Sequence, residues 1–288
     1  MMVVHRVRQL DQLRREGDMN HSLTDLADVV EALARECAGI FDLTYGGQAL
    51  VEIDQHDQSY SGGIVQNPVK FCQEVAGIYL LGAGDYLYGT ALSANPRHNL
   101  AFSSAALARS AYEFSAWSWW IQEASIDATE RVQRTIGIVR SDIKHPGNAG
   151  QYGVPGERLI QELDSWANAQ AFRVPRGTRK ITEVIALMNP DNGPMHYKFL
   201  SGLTHGQLTP LLRIYDHVRR SQTDLECDQW ERLLIASGAV LQAMEATCVL
   251  RGHVLPQTVV QLRELLDLFM SELTSFLDRQ SGTWEGHG

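Results

Sequence analysis

The run from Asn99 to Gln122, NLAFSSAALARSAYEFSAWSWWIQ, decides the fold class. It contains neither Gly nor Pro. Phe102, Ala105, Leu107, Tyr112, Phe114, Trp117, Trp120 and Ile121 place apolar groups on nearly every side of a helix. A helix that is apolar all round is one that other elements surround. The partners must therefore come from the rest of the chain, and their own periodicity says what they are.

On the upstream side, Val69 to Ala94 is a second apolar helix. Its Gly82 and Gly84 let a neighbouring backbone come close, and Asn95-Pro96 stops it. On the downstream side, helices are expected over Asp127 to Ile143, Pro155 to Ala171 and Arg179 to Met188. Met195 to Tyr215 holds another, interrupted near Pro210. Two amphipathic helices close the chain. Trp230, Leu233, Leu234, Val240, Leu241, Met244 and Cys248 share a face of the first, and Leu262, Leu265, Leu266, Phe269 and Leu273 share a face of the second. Gly252 and Pro256 between them suit a helical hairpin. Near the start, Leu26, Val29, Val30, Leu33 and Cys37 form a helix that Ser22 or Thr24 can cap. Residues 44–68 are less regular. Gly46-Gly47, Gly62-Gly63 and Pro68 break them up, and Leu50, Val51 and Ile53 read as a short strand. No repeat and no alternation of strands with helices is present, so the expectation is an all-α bundle of roughly seven to nine helices. It divides into 1–68 (N-terminal helix and irregular segment), 69–280 (the bundle) and 281–288 (a flexible tail).

The chain has 288 residues, of which 44% are hydrophobic and 20% charged, with a net charge of −9, enough for a core that needs neither disulfides nor metal. The acidic balance argues against general DNA binding. Cys37, Cys72, Cys227 and Cys248 form no Cys-x-x-Cys pair and read as reduced thiols. The N-terminal arginines precede no apolar leader segment. The longest apolar run, Val75 to Gly84, is about half the ~20 residues a membrane span needs. A cytoplasmic protein without membrane attachment is expected. Phosphate-binding Gly-rich loops, dinucleotide fingerprints, Glu-x-x-His and His-Glu-x-x-His pairs, zinc spacings and nucleophile elbows are all missing. No cofactor and no metal is therefore expected.

One polar constellation remains. Arg109 and Glu113 lie four apart on the surrounded helix and share a face, where lone charges need partners. Tyr197, Ser201 and His205 repeat at four-residue intervals on a later helix and form a polar stripe with a titratable imidazole. If the two faces meet, one pocket holds all five. It is then either a structural knot or a site for a phosphate or small molecule, with His205 as acid/base.

The residues Leu107-Ala-Arg-Ser-Ala-Tyr-Glu113, Trp119-Trp120, Glu130-Arg-Val-Gln-Arg134, Pro175 to Thr182 and Tyr197 to Gly206 resemble those of a set of bacterial, mainly actinobacterial, helical proteins of unknown function. That set is similar, distantly, to HEPN-type helical domains. The resemblance covers roughly residues 100–215. It implies a helical fold that self-associates as a dimer and, for the HEPN ribonucleases, metal-independent RNA cleavage. There Arg is followed by about four to six residues and then His, with His as acid/base and Arg on the phosphate. Arg140 precedes His145 at this spacing, as Arg14 and Arg15 precede His21, but all lie outside the resembling helices. Arg213 follows His205 rather than preceding it.

Arg173, Arg176, Arg179 and Lys180 form a basic loop ahead of a helix that Thr178 can cap, which reads either as a solvated loop or as a phosphate or RNA contact. Trp117, Trp119 and Trp120 read as core, and Asp54, His56, Asp57, Asp216 and His217 as surface groups. Two functions follow as expectations. One is a helical accessory or binding protein whose polar cluster is structural or takes a small anion. The other is a HEPN-like endoribonuclease of a defence or toxin type that uses His205 and Arg109.

Overall fold

A computed structural model describes residues 23–57, 67–94, 100–143, 156–169, 178–205, 207, 212 and 222–282. Among them are ten helices and no strand. These are α1 (Leu23–Phe41), α2 (Gly47–His56), α3 (Pro68–Ala94), α4 (Ala101–Gln122), α5 (Ala128–Ile143), α6 (Gly156–Ala169), α7 (Ile181–Met188), α8 (Gly193–Thr204), α9 (Gln222–Leu250) and α10 (Gln257–Gly282). The all-α expectation holds, with ten helices where seven to nine were expected. One addition is α2. The stretch read as a strand at Leu50, Val51 and Ile53 is helical, and only Ala49 and Glu52 on it are buried. A helix of ten residues buries a single stripe: Leu50 and Val51 stay exposed, while Ile53 packs partly buried against the cluster around Val69 and Trp166.

The core is layered around α4. This helix packs on α3, α9, α8 and α7, and α3 packs in turn on α1. Two glycines set the spacing. A Cβ on Gly82 would lie 2.5 Å from the Phe114 ring, and one on Gly84 would lie 2.9 Å from the Ala34 carbonyl oxygen. α3 therefore takes the Phe114 ring of α4 into one notch and meets the α1 backbone at the other. Phe114 fills the Gly82 notch and sets its ring edge-on to Tyr79 and Tyr86, at 5.4 and 5.0 Å between centroids. Leu26, Leu33, Leu80, Leu87, Ile121, Val240 and Met244 belong to one continuous core, so α1 and the closing hairpin share it.

Buried arginines tie the helix ends together. Arg131 of α5 is fully buried. It grips Glu52 of α2 at 2.9 and 3.2 Å and donates to the carbonyls of Ile121 and Ile126. Arg251 donates to the carbonyls of Phe41 and Leu43 at 2.9 Å each, closing the C-terminus of α1. Arg232 donates to the Ala101 carbonyl at 2.8 Å. Asp57, expected at the surface, is buried instead. It accepts from the amides of Val69 and Lys70 at 2.9 and 3.0 Å, and so satisfies the first turn of α3. Asp127 does the same for α5 through the Glu130 amide at 2.8 Å.

Part of α9, Asp228–Leu250, is long and apolar enough to cross a membrane by length and composition. Within the fold, 72% of an 18-residue window of that stretch is buried.

Candidate functional site

Pro194 starts α8, where its fixed φ suits the first turn and its missing N–H costs nothing. The helix then lies against α4. This packing brings the two polar stripes together. Arg109 donates from Nε to Glu113 Oε1 at 2.8 Å, from Nη1 to Thr204 Oγ1 at 2.8 Å and from Nη2 to Tyr197 Oη at 3.2 Å. Nη1 also lies 2.9 Å from His205 Nε2. A guanidinium has only donors to offer, so that contact forms with the neutral imidazole protonated at Nδ1. Tyr197 donates to Glu113 Oε1 at 2.7 Å, and Thr204 donates to the Ser201 carbonyl at 2.9 Å.

The pair expected to be fully buried is not. The side chains of Arg109 and Glu113 are 21% and 26% exposed, and His205 sits at the surface as the C-cap of α8. The α4 face that carries the pair is closed only partly, because α8 is short and ends beside it. Burial works against the Arg109 charge, but Glu113 and Tyr197 outweigh it and hold its pKa above the ordinary value. Burial raises the Tyr197 pKa, and the hydrogen bond it gives Glu113 raises it further. The phenol therefore stays protonated and keeps donating.

A guanidinium has five N–H donors. Four of those on Arg109 are directed at Glu113, Thr204, His205 and Tyr197. The network is self-satisfied, and Arg109 can turn little of its donor capacity toward a ligand. Ser201 stands apart. It lines an adjacent cleft of about 300 Å³ together with Thr182, Pro194, Tyr197, Lys198 and Gln207. The residues of that lining include an ammonium, two aliphatic hydroxyls and an amide, with no carboxylate; most of its surface is apolar, and the Tyr197 hydroxyl is spent on Glu113. Tyr197 belongs to both places: its hydroxyl holds the Arg109 network while its side chain walls the cleft. Sequence reasoning missed Thr204 and the cleft residues Thr182, Lys198 and Gln207. Thr204 adjoins His205 at the helix end, which was the one signal available. Gln207 and Thr182 carried none.

The basic loop is described only in part: Arg173 and Arg176 lie outside the described residues. Arg179 and Lys180 are exposed. Thr178 does not cap α7, because Lys180 stands at the N-cap position and no side chain bonds there. Arg179 lies 5.4 Å from the centre of the Trp120 ring, a ring that Arg134 already covers at 3.3 Å. Arg134 is held by Glu123 and the Trp120 carbonyl at 2.7 Å each. Asp216 and His217 lie outside the described residues, as do Arg14, Arg15, His21 and His145. Among the described residues no group of three His, Cys, Asp or Glu could hold a metal. Cys37, Cys72 and Cys248 are free and buried, and burial pushes their thiols up to about 12, 12 and 11, which makes them unreactive.

The class is thus an all-α bundle with a half-buried Arg–Glu–Tyr–Thr–His network beside a cleft lined in part by Lys198, Ser201, Thr182 and Gln207. Compared with family models, curated proteins and solved structures, the chain matches none.

Proposed function

We propose that this is a helical binding protein whose α7–α8 cleft takes a small oxyanion, a phosphate or carboxylate group. The observation that carries the reading is the composition of the lining. Lys198, Ser201, Thr182 and Gln207 are among the residues that line a space of about 300 Å³, and no carboxylate residue is. Charge-assisted hydrogen bonds from an ammonium and hydroxyls suit an anion's oxygens. The Arg109 network then acts as a brace. It holds Tyr197 and the C-terminal turn of α8 against α4, so the cleft wall is already formed before a ligand arrives.

Titration of the full chain with inorganic phosphate, followed by calorimetry, tests this. Saturable binding is expected, weakened about tenfold by Lys198→Ala and several-fold by Ser201→Ala, each a charge-assisted hydrogen bond lost. Binding that is absent, or indifferent to both substitutions, refutes the reading.

A second reading has one observation in its favour. The Arg109 guanidinium and the exposed His205 imidazole are in contact, at 2.9 Å. A cation beside an acid/base at a surface is what HEPN-like RNA cleavage needs. Cleavage of RNA in chelator, lost in His205→Ala, supports it; no cleavage by the wild type rejects it.

A further inference from the structure

We infer that the ligand of the α7–α8 cleft is a single-ring aromatic monocarboxylate, with its ring toward Pro194 and its carboxylate toward Ser201. This rests on the oxyanion reading above and narrows it to one chemical class.

The order of residues along α8 carries the inference. Pro194, Tyr197, Lys198 and Ser201 line the cleft, and their spacing of three and four residues makes them one stripe of that helix. The first two bring rings. The Tyr197 hydroxyl donates to Glu113 and accepts from Arg109, so the ring is what Tyr197 has left for a ligand. The last two bring an ammonium and a hydroxyl, and Gln207 adds an amide beyond the helix end. The stripe is therefore apolar toward the start of α8 and polar toward its end. Inorganic phosphate satisfies only the polar half, whereas a ring bearing a carboxylate satisfies both.

Charge and size narrow the class further. Among the described residues, the Lys198 ammonium has no ion pair or hydrogen bond, and neither do the side chains of Ser201, Thr182 and Gln207. Lys198 is the one cation of the lining. Arg109, which also bonds Tyr197, directs four of its five N–H donors within its own network. One unspent cation matches the single charge of a carboxylate. A phosphate ester carries about 1.5 to 2 charges at neutral pH, and the chain's net charge of −9 disfavours the excess. The cleft's volume of about 300 Å³ stands at the lower end of the roughly 300–1,000 Å³ of small-molecule pockets. One ring suits that space better than a nucleotide does.

Calorimetry of the full chain with benzoate, acetate, inorganic phosphate and the neutral benzamide tests this. Benzoate should bind at least about tenfold tighter than acetate or phosphate, through the ring surface it buries. It should also bind about tenfold tighter than benzamide, through its charge. Lys198→Met keeps the apolar stem and should close the gap between benzoate and benzamide. Pro194→Ala, at an exposed position, should weaken benzoate about threefold and leave acetate unchanged. Acetate or phosphate binding as tightly as benzoate overturns the inference and leaves the oxyanion reading standing. Benzoate binding that is indifferent to both substitutions overturns it too, because the ligand then sits elsewhere. If no anion binds, both readings fall.

Discussion

Replacing Glu52 by Ala should unfold this protein far more readily than replacing Glu113 by Ala, although each removes one carboxylate from an Arg–Glu pair. Arg131 and Glu52 have side chains 0% and 2% exposed, joined by two hydrogen bonds at 2.9 and 3.2 Å. With Glu52 gone, water cannot reach the guanidinium, and the carbonyls of Ile121 and Ile126 cannot neutralise it. Breaking such a pair from one side costs about 3–5 kcal/mol. For a chain of this length, the unfolding entropy converts that into a Tm drop of about 5–8 °C. Arg109 keeps Thr204, His205, Tyr197 and access to water when Glu113 is removed, so Glu113→Ala should cost only about 1–2 kcal/mol. Urea unfolding at pH 7 measures both. The double replacement Glu52→Leu with Arg131→Met separates the two terms, because removing both charges restores most of the loss. A loss below about 1 kcal/mol for Glu52→Ala, or a double variant as weak as the single one, refutes the reasoning.

Burial holds the His196 pKa below 6.5. The unfolded chain then binds the proton first, and stability falls as pH drops through 6.5 toward the folded value; unfolding at pH 7.5 and 5.5 should show this slope, and His196→Gln should flatten it. The Glu123 pKa is lowered: burial would raise it, but the Ser125 hydroxyl and Arg134 overcome that. Its contribution is present above the usual 4.5 and lost as pH falls below it, so Glu123→Gln should reduce stability at pH 7 and matter little at pH 3. Gly252 has φ +71°, and a Cβ there would lie 2.7 Å from the Gly47 nitrogen, so Gly252→Ala should lower stability by about 2 kcal/mol or more in thermal unfolding. Tyr197→Phe removes the hydroxyl that joins Glu113 to Arg109 and should cost about 1 kcal/mol in the same urea assay.

Helix content and several helix limits were legible because their causes are local. Asn95-Pro96 stops one apolar run, the helix expected from Asp127 appears as α5, where Asp127 bonds the Glu130 amide, and the all-round apolar run over Asn99 to Gln122 appears as α4, Ala101–Gln122. A helical period also assigns faces, so Arg109 with Glu113, and Tyr197 with Ser201, could be paired before any contact was known. The local signal failed at Leu50, Val51 and Ile53, where apolar and β-branched residues between glycines lie on a short helix that buries only Ala49 and Glu52.

What the sequence by itself determined was the all-α class, the order of most helices, and which polar residues share a helical face. Those follow from hydrogen bonding and packing within a few residues of chain. Only the tertiary structure decided which faces meet. It turned Thr204 rather than the Ser201 side chain toward Arg109 and left that pair half exposed. It buried Glu52 against Arg131, 79 residues along the chain, and opened the Ser201 side into a separate cleft. Crossing angle and helix length set these outcomes, and both depend on how the whole core packs.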